Sequence, residues 1–385
     1  MYICIAKPDL NSKLMGFTIK EVTTSKDIKR FIKFPHKLYR DCKQYVPVID
    51  SDEFETLTSS PSLEYCKLRM WMAFDQKGEV VGRIAAILNP RSNEYHNEKR
   101  VRFGWFDFID NRDVAQALLS VAEQWGREEG MEEIHGPLGY NTLNRQGMLT
   151  EGFENTPPIN CLYNHPYYNT IMGQLGYGKQ IDWVQIKLRA NEGVPEKIKR
   201  INLMLLEKYN LRVLDLKELK GSNKFVDSFF KSYNEGFSEI ANFVPLTRKE
   251  VEKLAKEYFP RLKEELTCII VDKKDNIAAF GICVPNLSVA FQRAGGRLFP
   301  FGIFHILRGF KRYKTIDLML LGASSEWQNK GISSIYHTHI ASNLERGEIM
   351  YAITNPQAEN NSSYKVWERY GYEPYMRRRC YIKSL

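Results

Sequence analysis

The stretch Asp317–Ser333, DLMLLGASSEWQNKGIS, decides how this chain is read, because an apolar run gives way to a polar loop and then to a helix-compatible segment. The run TIDLMLLGA, Thr315–Ala323, has the composition of a buried strand. Gln328-Asn329-Lys330-Gly331-Ile332-Ser333 follows it, with a glycine at the helix start. A strand, a short loop and a helix in that order bring unpaired backbone N–H groups and the positive end of a helix dipole to one point, which suits a diphosphate. Gly331 lets the backbone come close to a phosphate, and Lys330 adds a positive charge. A Gln-x-x-Gly-x-Ser loop on its own is more often an ordinary connection.

Around this stretch, one order of elements occurs twice. LRVLDL starts a strand at Leu211, Asn223–Tyr233 and Arg248–Lys263 read as helices, and LTCIIVDKKDNIAAFGICV reads as a hairpin turning at Lys274-Asp275-Asn276. After the loop come a helix from about Ser333 to Arg346, the strand IMYAITN, a helix Ser362–Tyr370 and a last strand RRRCYIK. The amino-terminal half has FTIKEV, a lysine-rich helix to Arg40, a hairpin at Lys77-Gly78 and the strand RVRFGWFDFI. Val114, Leu118, Val121, Ala122 and Trp125 then recur at helical spacing, before EEIHGP, a helix Tyr167–Leu175 and WVQIKL. Identities barely repeat between the copies, so the order of elements carries the inference of a tandem duplication. The expected fold is α/β with mixed sheets in two similar domains, 1–190 and 210–385, joined by a linker and helix at 191–209.

Gln328, Gly331 and Ser333 match, with Ser333 as the one departure, the motif Gln/Arg-x-x-Gly-x-Gly/Ala that binds pyrophosphate in the GNAT acyltransferase superfamily. Asn360, Trp367, Gly371 and Tyr372 stand at the spacings of that superfamily's downstream Asn, aromatic and Gly-Phe positions. Residues 211–385 therefore resemble a GNAT domain. The resemblance implies acetyl-CoA or a longer acyl-CoA as donor, no metal, and direct transfer of the acyl group to an amine. It also implies a splay between the fourth and fifth strands that receives the pantetheine arm. Contacts to the donor are implied for Leu321, Gly322, Ala323, Gln328, Asn329, Lys330, Gly331, Ile332, Ser333, Asn355 and Asn360.

An amine attacking a thioester must lose a proton, and the departing thiolate must be stabilised. Asp317, eleven residues before Gln328, stands where a subset of the superfamily has a glutamate base. Regular alternation would place it on one strand face with Met319 and Leu321, in a partly dry cleft that raises its pKa. The other reading is a strand-entry aspartate in a turn or ion pair. Trp367 occupies the position of the usual tyrosine acid, and an indole N–H can donate to sulfur without delivering its proton. Asn355 and Asn360 orient pantetheine or substrate, or else cap helices.

The first copy has Asp110-Asn111-Arg112-Asp113-Val114 where the loop should be, without glycine and with two aspartates that repel phosphate, so it reads as degenerate. With Trp367 in place of a tyrosine, this leaves a non-catalytic acyl-CoA or lipid-binding protein as the alternative to an enzyme. Its dense block, Gly136-Pro137, Asn144, Gly147, Glu151-Gly152-Phe153, Pro157-Pro158 and Asn164 to Tyr168, resembles a mostly uncharacterised bacterial family of tandem GNAT proteins. Some members of that family act on long-chain bases in ceramide formation, which implies a lipid amine as an alternative to a small-molecule acceptor. Asn144, Glu151, Asn164, Tyr167 and Tyr168 line an acceptor pocket at the domain junction, or belong to an ordered loop.

Lysine and arginine number 55 against 46 acidic residues, a net charge of +9 that asks for an anionic partner. Much of this is local: from Asn276 through Ile316 there is no acidic residue, where the chain-wide frequency predicts about five. GRLFPFGIFHILRGFKRYK, Gly296–Lys314, suits peripheral membrane contact through 293–314, or a buried hairpin extension with solvated basic residues. No RRM, KH or OB pattern points to nucleic acid. Seven scattered cysteines make no disulfide framework or CxxC knuckle and fit a reducing cytoplasm, and no apolar run is long enough to span a bilayer. His337 and His339 lie on opposite sides of their helix and cannot share a metal. Arg377-Arg378-Arg379 starts the last strand, where alternation sends Arg378 to the face opposite its neighbours; solvation is expected, with a phosphate contact as the alternative.

Overall fold

The computed structural model describes residues 16–190, 193–219, 224–344, 348–361 and 371–385. The first half runs β1 (Phe17–Glu21), α1 (Ser25–Leu38), α2 (Asp50–Ser59), β2 (Lys67–Asp75), β3 (Val80–Leu88), α3 (Pro90–His96), β4 (Arg100–Phe108), α4 (Arg112–Glu128), β5 (Glu133–Gly136), β6 (Met148–Glu151), α5 (Tyr167–Gln174) and β7 (Gly178–Arg189). The second runs α6 (Glu196–Tyr209), β8 (Arg212–Val213), α7 (Leu216–Leu219), α8 (Lys224–Gly236), α9 (Arg248–Tyr258), β9 (Thr267–Val271), β10 (Ile277–Pro285), α10 (Ser288–Ala294), α11 (Gly302–Lys311), β11 (Thr315–Ala323), α12 (Ser333–Leu344), β12 (Tyr351–Thr354), β13 (Gln357–Ala358) and β14 (Tyr372–Ser384). The mixed α/β class expected from the sequence is what the chain adopts.

The described strands form one 14-stranded sheet in the order β1-β2-β3-β4-β5-β14-β7-β12-β11-β10-β9-β8, with β6 beside β14 and β13 beside β7. The two halves thus exchange their last strands. β14 pairs antiparallel with β5, Tyr381 opposite Gly136, and β7 pairs antiparallel with β12, Leu188 opposite Ala352. β14 and β7 also pair with each other from Tyr372↔Leu188 to Ile382↔Gly178. The ranges 1–190 and 210–385 follow chain order, whereas each half of the sheet is completed by a strand from the other. The side chains explain why. Tyr381 packs into the first-half core with Val101, Phe103 and Trp125, while Ile186 and Leu188 pack with Leu318, Ile335 and Ile340 in the second.

Helices cover both faces. α4 lays Val114, Leu118, Ala122 and Trp125 on the sheet, and Asn111 Oδ1 accepts from the N–H groups of Asp113 and Val114 at its start. Two of the N–H groups at that helix start are therefore taken up by its own chain, in line with a degenerate first copy. α9 begins with a capping box in which Glu250 Oε2 accepts from the Thr247 N–H, while its Oε1 accepts from Ser62, Tyr65 and Asn141 of the first half. One buried carboxylate thus joins the halves through donors from three segments.

Arg378 departs from the expectation that the arginine triplet is solvated. Arg377 and Arg379 pair with Asp182, but Arg378 is fully buried, its guanidinium donating to Gln185 Oε1 and to Leu162 O. Alternation along β14 was right; the opposite face is interior rather than solvent. No helix of the described residues is long and apolar enough to cross a membrane.

Because each half is closed by the other's strand, the two cannot unfold separately. Urea denaturation followed by tryptophan fluorescence and by far-UV circular dichroism should give coincident single transitions. Two separated transitions would show that the halves are independent.

Candidate functional site

β11 is paired with β10 along its whole length, Pro285↔Ile316 to Ala279↔Ala323, but with β12 only from Thr315↔Tyr351 to Leu318↔Thr354. Beyond Leu318 the parallel strands diverge, and residues 319–323 keep a strand neighbour on one side alone. A bulge accompanies the divergence: Cys283 faces Leu318 and Ile282 faces Leu320, leaving Met319 without a register partner. The extra residue reverses the alternation. Leu318 and Leu321 pack on the α12 side and Leu320 on the α8 side, so the expected shared face of Asp317, Met319 and Leu321 is not formed.

Asn355 sits in the fork. Its backbone N–H donates to Leu318 O at 3.2 Å, its Nδ2 donates to Met319 O, and its Oδ1 accepts from Asn160 Nδ2 at 2.7 Å. The fork opens toward the loop 324–332. Gln328 Nε2 donates back to Ala323 O at 3.3 Å, and Asn329 and Gly331 both take positive φ, 61° and 78°. Among the described residues the N–H groups of 329–333 take no hydrogen-bond partner, and they gather at the start of α12. Lys330 Nζ lies 4.6 Å from the Trp327 ring centre. α12 is braced from behind by Asn202 of α6, which donates to Ser334 O and Thr338 Oγ1 and accepts from the Ser334 hydroxyl.

Asp317 is 1% exposed. Its Oδ1 accepts from Asn286 Nδ2 at 2.8 Å, and its Oδ2 is buried without a partner. Burial raises its pKa from 3.8 to about 7, opposed only by the Asn286 bond. Burial, with the Asp317 carboxylate adding to it, pushes the Cys161 and Cys283 thiols and the Tyr375 hydroxyl up. Tyr375 bulges from β14 between Pro374↔Ile186 and Met376↔Gln185. Its hydroxyl donates to Thr156 O at 2.7 Å, and burial lifts its pKa to about 12. Nothing in the sequence marks Asn286, Asn160, Cys161 or Tyr375, because each arrives from a distant segment.

Residues 152–161 of the first half close one wall. Asn155 Nδ2 donates to Tyr375 O at 2.7 Å and Ser288 Oγ donates to Pro157 O at 2.8 Å. Gly152, at φ 82°, lies so close to β14 that a Cβ would come within 2.2 Å of Tyr375 O.

The other expected positions fare differently. Leu321, Gly322 and Ala323 line the diverging end of β11; Gly322 packs against Phe280 and Phe237. Asn360 is exposed in the turn after β13, and Trp367 lies outside the described residues. The acceptor set from the first half is not assembled as a pocket. Asn144 Oδ1 accepts from the N–H groups of Tyr140 and Asn141 and holds a turn, and Asn164 is buried, bridging Leu149 N–H and O. Glu151 is exposed and pairs with Arg377. Tyr167 donates to Phe108 O at 2.5 Å, and the buried Tyr168 hydroxyl accepts from Phe108 N–H at 3.1 Å while bonding Tyr39. These two tyrosines occupy the backbone of β4 where the first copy's own fork opens past Arg102↔His135. The groove of that copy is filled by its own side chains.

A buried aspartate whose pKa is raised binds a proton in the folded chain that the unfolded chain has lost, between about pH 4 and 7. Stability therefore falls as pH rises through that window and is level above it. Relative to the native chain, Asp317→Asn should gain on the order of 3 kcal/mol between pH 5 and pH 8. Urea titrations at the two pH values measure this; an unchanged difference would mean that the carboxyl titrates in its ordinary range.

No protein-family model matches the chain. It is 27% identical over 390 residues to Protein YghO of Escherichia coli (strain K12), covering 95% of each. Among solved structures it matches a tandem GNAT protein from the clavulanic acid biosynthesis pathway, with TM-score 0.56, 11% identity, and 96% and 98% of the two chains covered. A GCN5-related N-acetyltransferase from Sphaerobacter thermophilus matches with TM-score 0.53 and 9% identity, over 96% and 95%. Coverage of nearly the full length of both structures shows that this chain has the tandem GNAT fold.

Proposed function

We propose that the second half binds an acyl-CoA and transfers its acyl group to an amine. The observation that carries this reading is the fork between β11 and β12, opening toward the unpartnered N–H groups of 329–333 and lying beside a buried carboxyl with one vacant oxygen. Those N–H groups and the α12 dipole would hold the diphosphate, with Lys330 nearby; the open edge of β11 would hold the pantetheine amides. Bound acyl-CoA supplies a thioester carbon open to attack.

Asp317 Oδ2 accepts the proton that the amine loses as the C–N bond forms and the C–S bond breaks. A carboxyl near pKa 7 is suited to that task at neutral pH, since it is ionised in a useful fraction of molecules and is still a competent base. Asn286 keeps the other oxygen fixed, so the vacant one is presented in a single orientation. The wall made by 152–161, with Tyr375 and Cys161, excludes water and bounds the acceptor space.

Two measurements test the proposal. Calorimetric titration with acetyl-, octanoyl- and palmitoyl-CoA should detect binding, lost at least tenfold in Gly331→Glu, which forces a side chain into positive φ and places an anion at the diphosphate position. Release of free CoA with an amine acceptor should depend on Asp317: kcat/KM should rise with pH through about 7, and Asp317→Asn should lower it by roughly 10²-fold or more and flatten the profile. Tight acyl-CoA binding without CoA release for any amine would instead make the protein an acyl-CoA-binding protein without transferase activity.

A further inference from the structure

The insertion between β10 and β11 is a pair of helices, α10 and α11, rather than an extended hairpin, and its two sides differ in character. One side is seated on the first half. Gln292 Nε2 donates to Lys43 O and Tyr45 O, the Asp50 N–H donates to Gly296 O, and Ile306 and Ala290 pack on Ile49. Among the described residues nothing packs on the other side. Phe299, Phe301, Phe304 and Leu307 are exposed by 77, 71, 65 and 51%.

Phe304, Leu307, Arg308 and Lys311 share one face of α11 by their spacing, and Phe299 and Phe301 extend that face into the preceding turn. Arg297 and Arg312 flank it, both exposed. Apolar rings centred among cations, in a stretch with no acidic residue from Asn276 to Ile316, match a layer that is apolar inside and anionic at its surface. A second copy offers the same positive charge and would be repelled.

We infer that this face docks the protein on an anionic lipid bilayer, with the four apolar side chains at the acyl boundary and the basic ones among the headgroups. The inference does not depend on acyl transfer. The same segment is nevertheless tied to the candidate site at its root. Asn286, which bonds Asp317, also accepts from the Ser288 N–H at the start of α10, and Ser288 holds Pro157 of the site wall. The docking segment and the candidate site are thus joined at Asn286 and Ser288.

Flotation of the full chain with vesicles tests this, using pure phosphatidylcholine and phosphatidylcholine with about a third phosphatidylglycerol. Binding should be confined to the anionic vesicles and should weaken from 50 to 500 mM salt. Neutralising Arg308, Lys311 and Arg312 to Gln should lower partitioning roughly a hundredfold, and Phe301→Ser with Phe304→Ser should abolish it, both with unchanged thermal melts. No binding to anionic vesicles, or equal binding by either variant, overturns the inference. So does concentration-dependent self-association that the double Phe→Ser variant removes while vesicle binding is absent.

Discussion

β7 and β14 lie side by side in the middle of the sheet, and each completes the half that it does not belong to in sequence. The main-chain ladder between them, from Tyr372↔Leu188 to Ile382↔Gly178, makes the seam of the molecule also the longest pair among the described strands. Without that exchange β5 and β12 would each end in an open edge of N–H and C=O groups. The packing around the seam follows from it. Arg378, carried inward on β14, has no carboxylate partner among the described residues and is satisfied by Gln185 of β7 and by the carbonyl of Leu162. A fixed charge held by neutral acceptors tolerates little displacement, because a lost bond leaves a buried cation unsolvated. Glu250, with donors from both halves, adds a second fixed point.

The candidate site belongs to both copies for the same reason. Asp317 and the loop before α12 come from the second half, but Asn160, Cys161 and the wall at 152–161 come from the first, and Tyr375 arrives on the exchanged strand. Two irregularities shape the site: the extra residue at Met319, which coincides with the fork, and the bulge at Tyr375, whose hydroxyl donates to Thr156 O in the wall. The first copy, its own fork closed by Tyr167 and Tyr168 and its helix start capped by Asn111, serves as part of the second copy's enclosure.

Much of this could be read in the sequence wherever the cause is local. The hairpins at Lys77-Gly78 and Lys274-Asp275-Asn276, the spacing of Val114 to Trp125, and the glycine loop at Gln328 to Ser333 are each decided by residues a few positions apart. Asp317 was reachable by its distance from Gln328. What could not be read depends on contacts far along the chain. Alternation along RRRCYIK separates the faces of Arg377 and Arg378 but does not say that both faces are covered, because the covering segment, residues 161–164, is remote. Strand exchange has no local signature, since β14 has the same pattern whichever β5 or β12 neighbour it joins. The polar block from Asn144 to Tyr168 looked like a pocket lining because polar residues that hold a turned backbone and polar residues that hold a ligand have the same composition.

Strand exchange also sets an order in time. β5 is complete once residue 136 has been made, but its neighbour β14 begins at residue 372. At roughly 5–20 residues per second, synthesis of the intervening chain takes about 10–50 s. Throughout that interval the first half leaves the ribosome with β5 unpaired on one side and with the place of Tyr381 in its core empty. A strand translated after every other described strand is thus the one that seals the first core, which closes only when the chain turns back onto its earlier half.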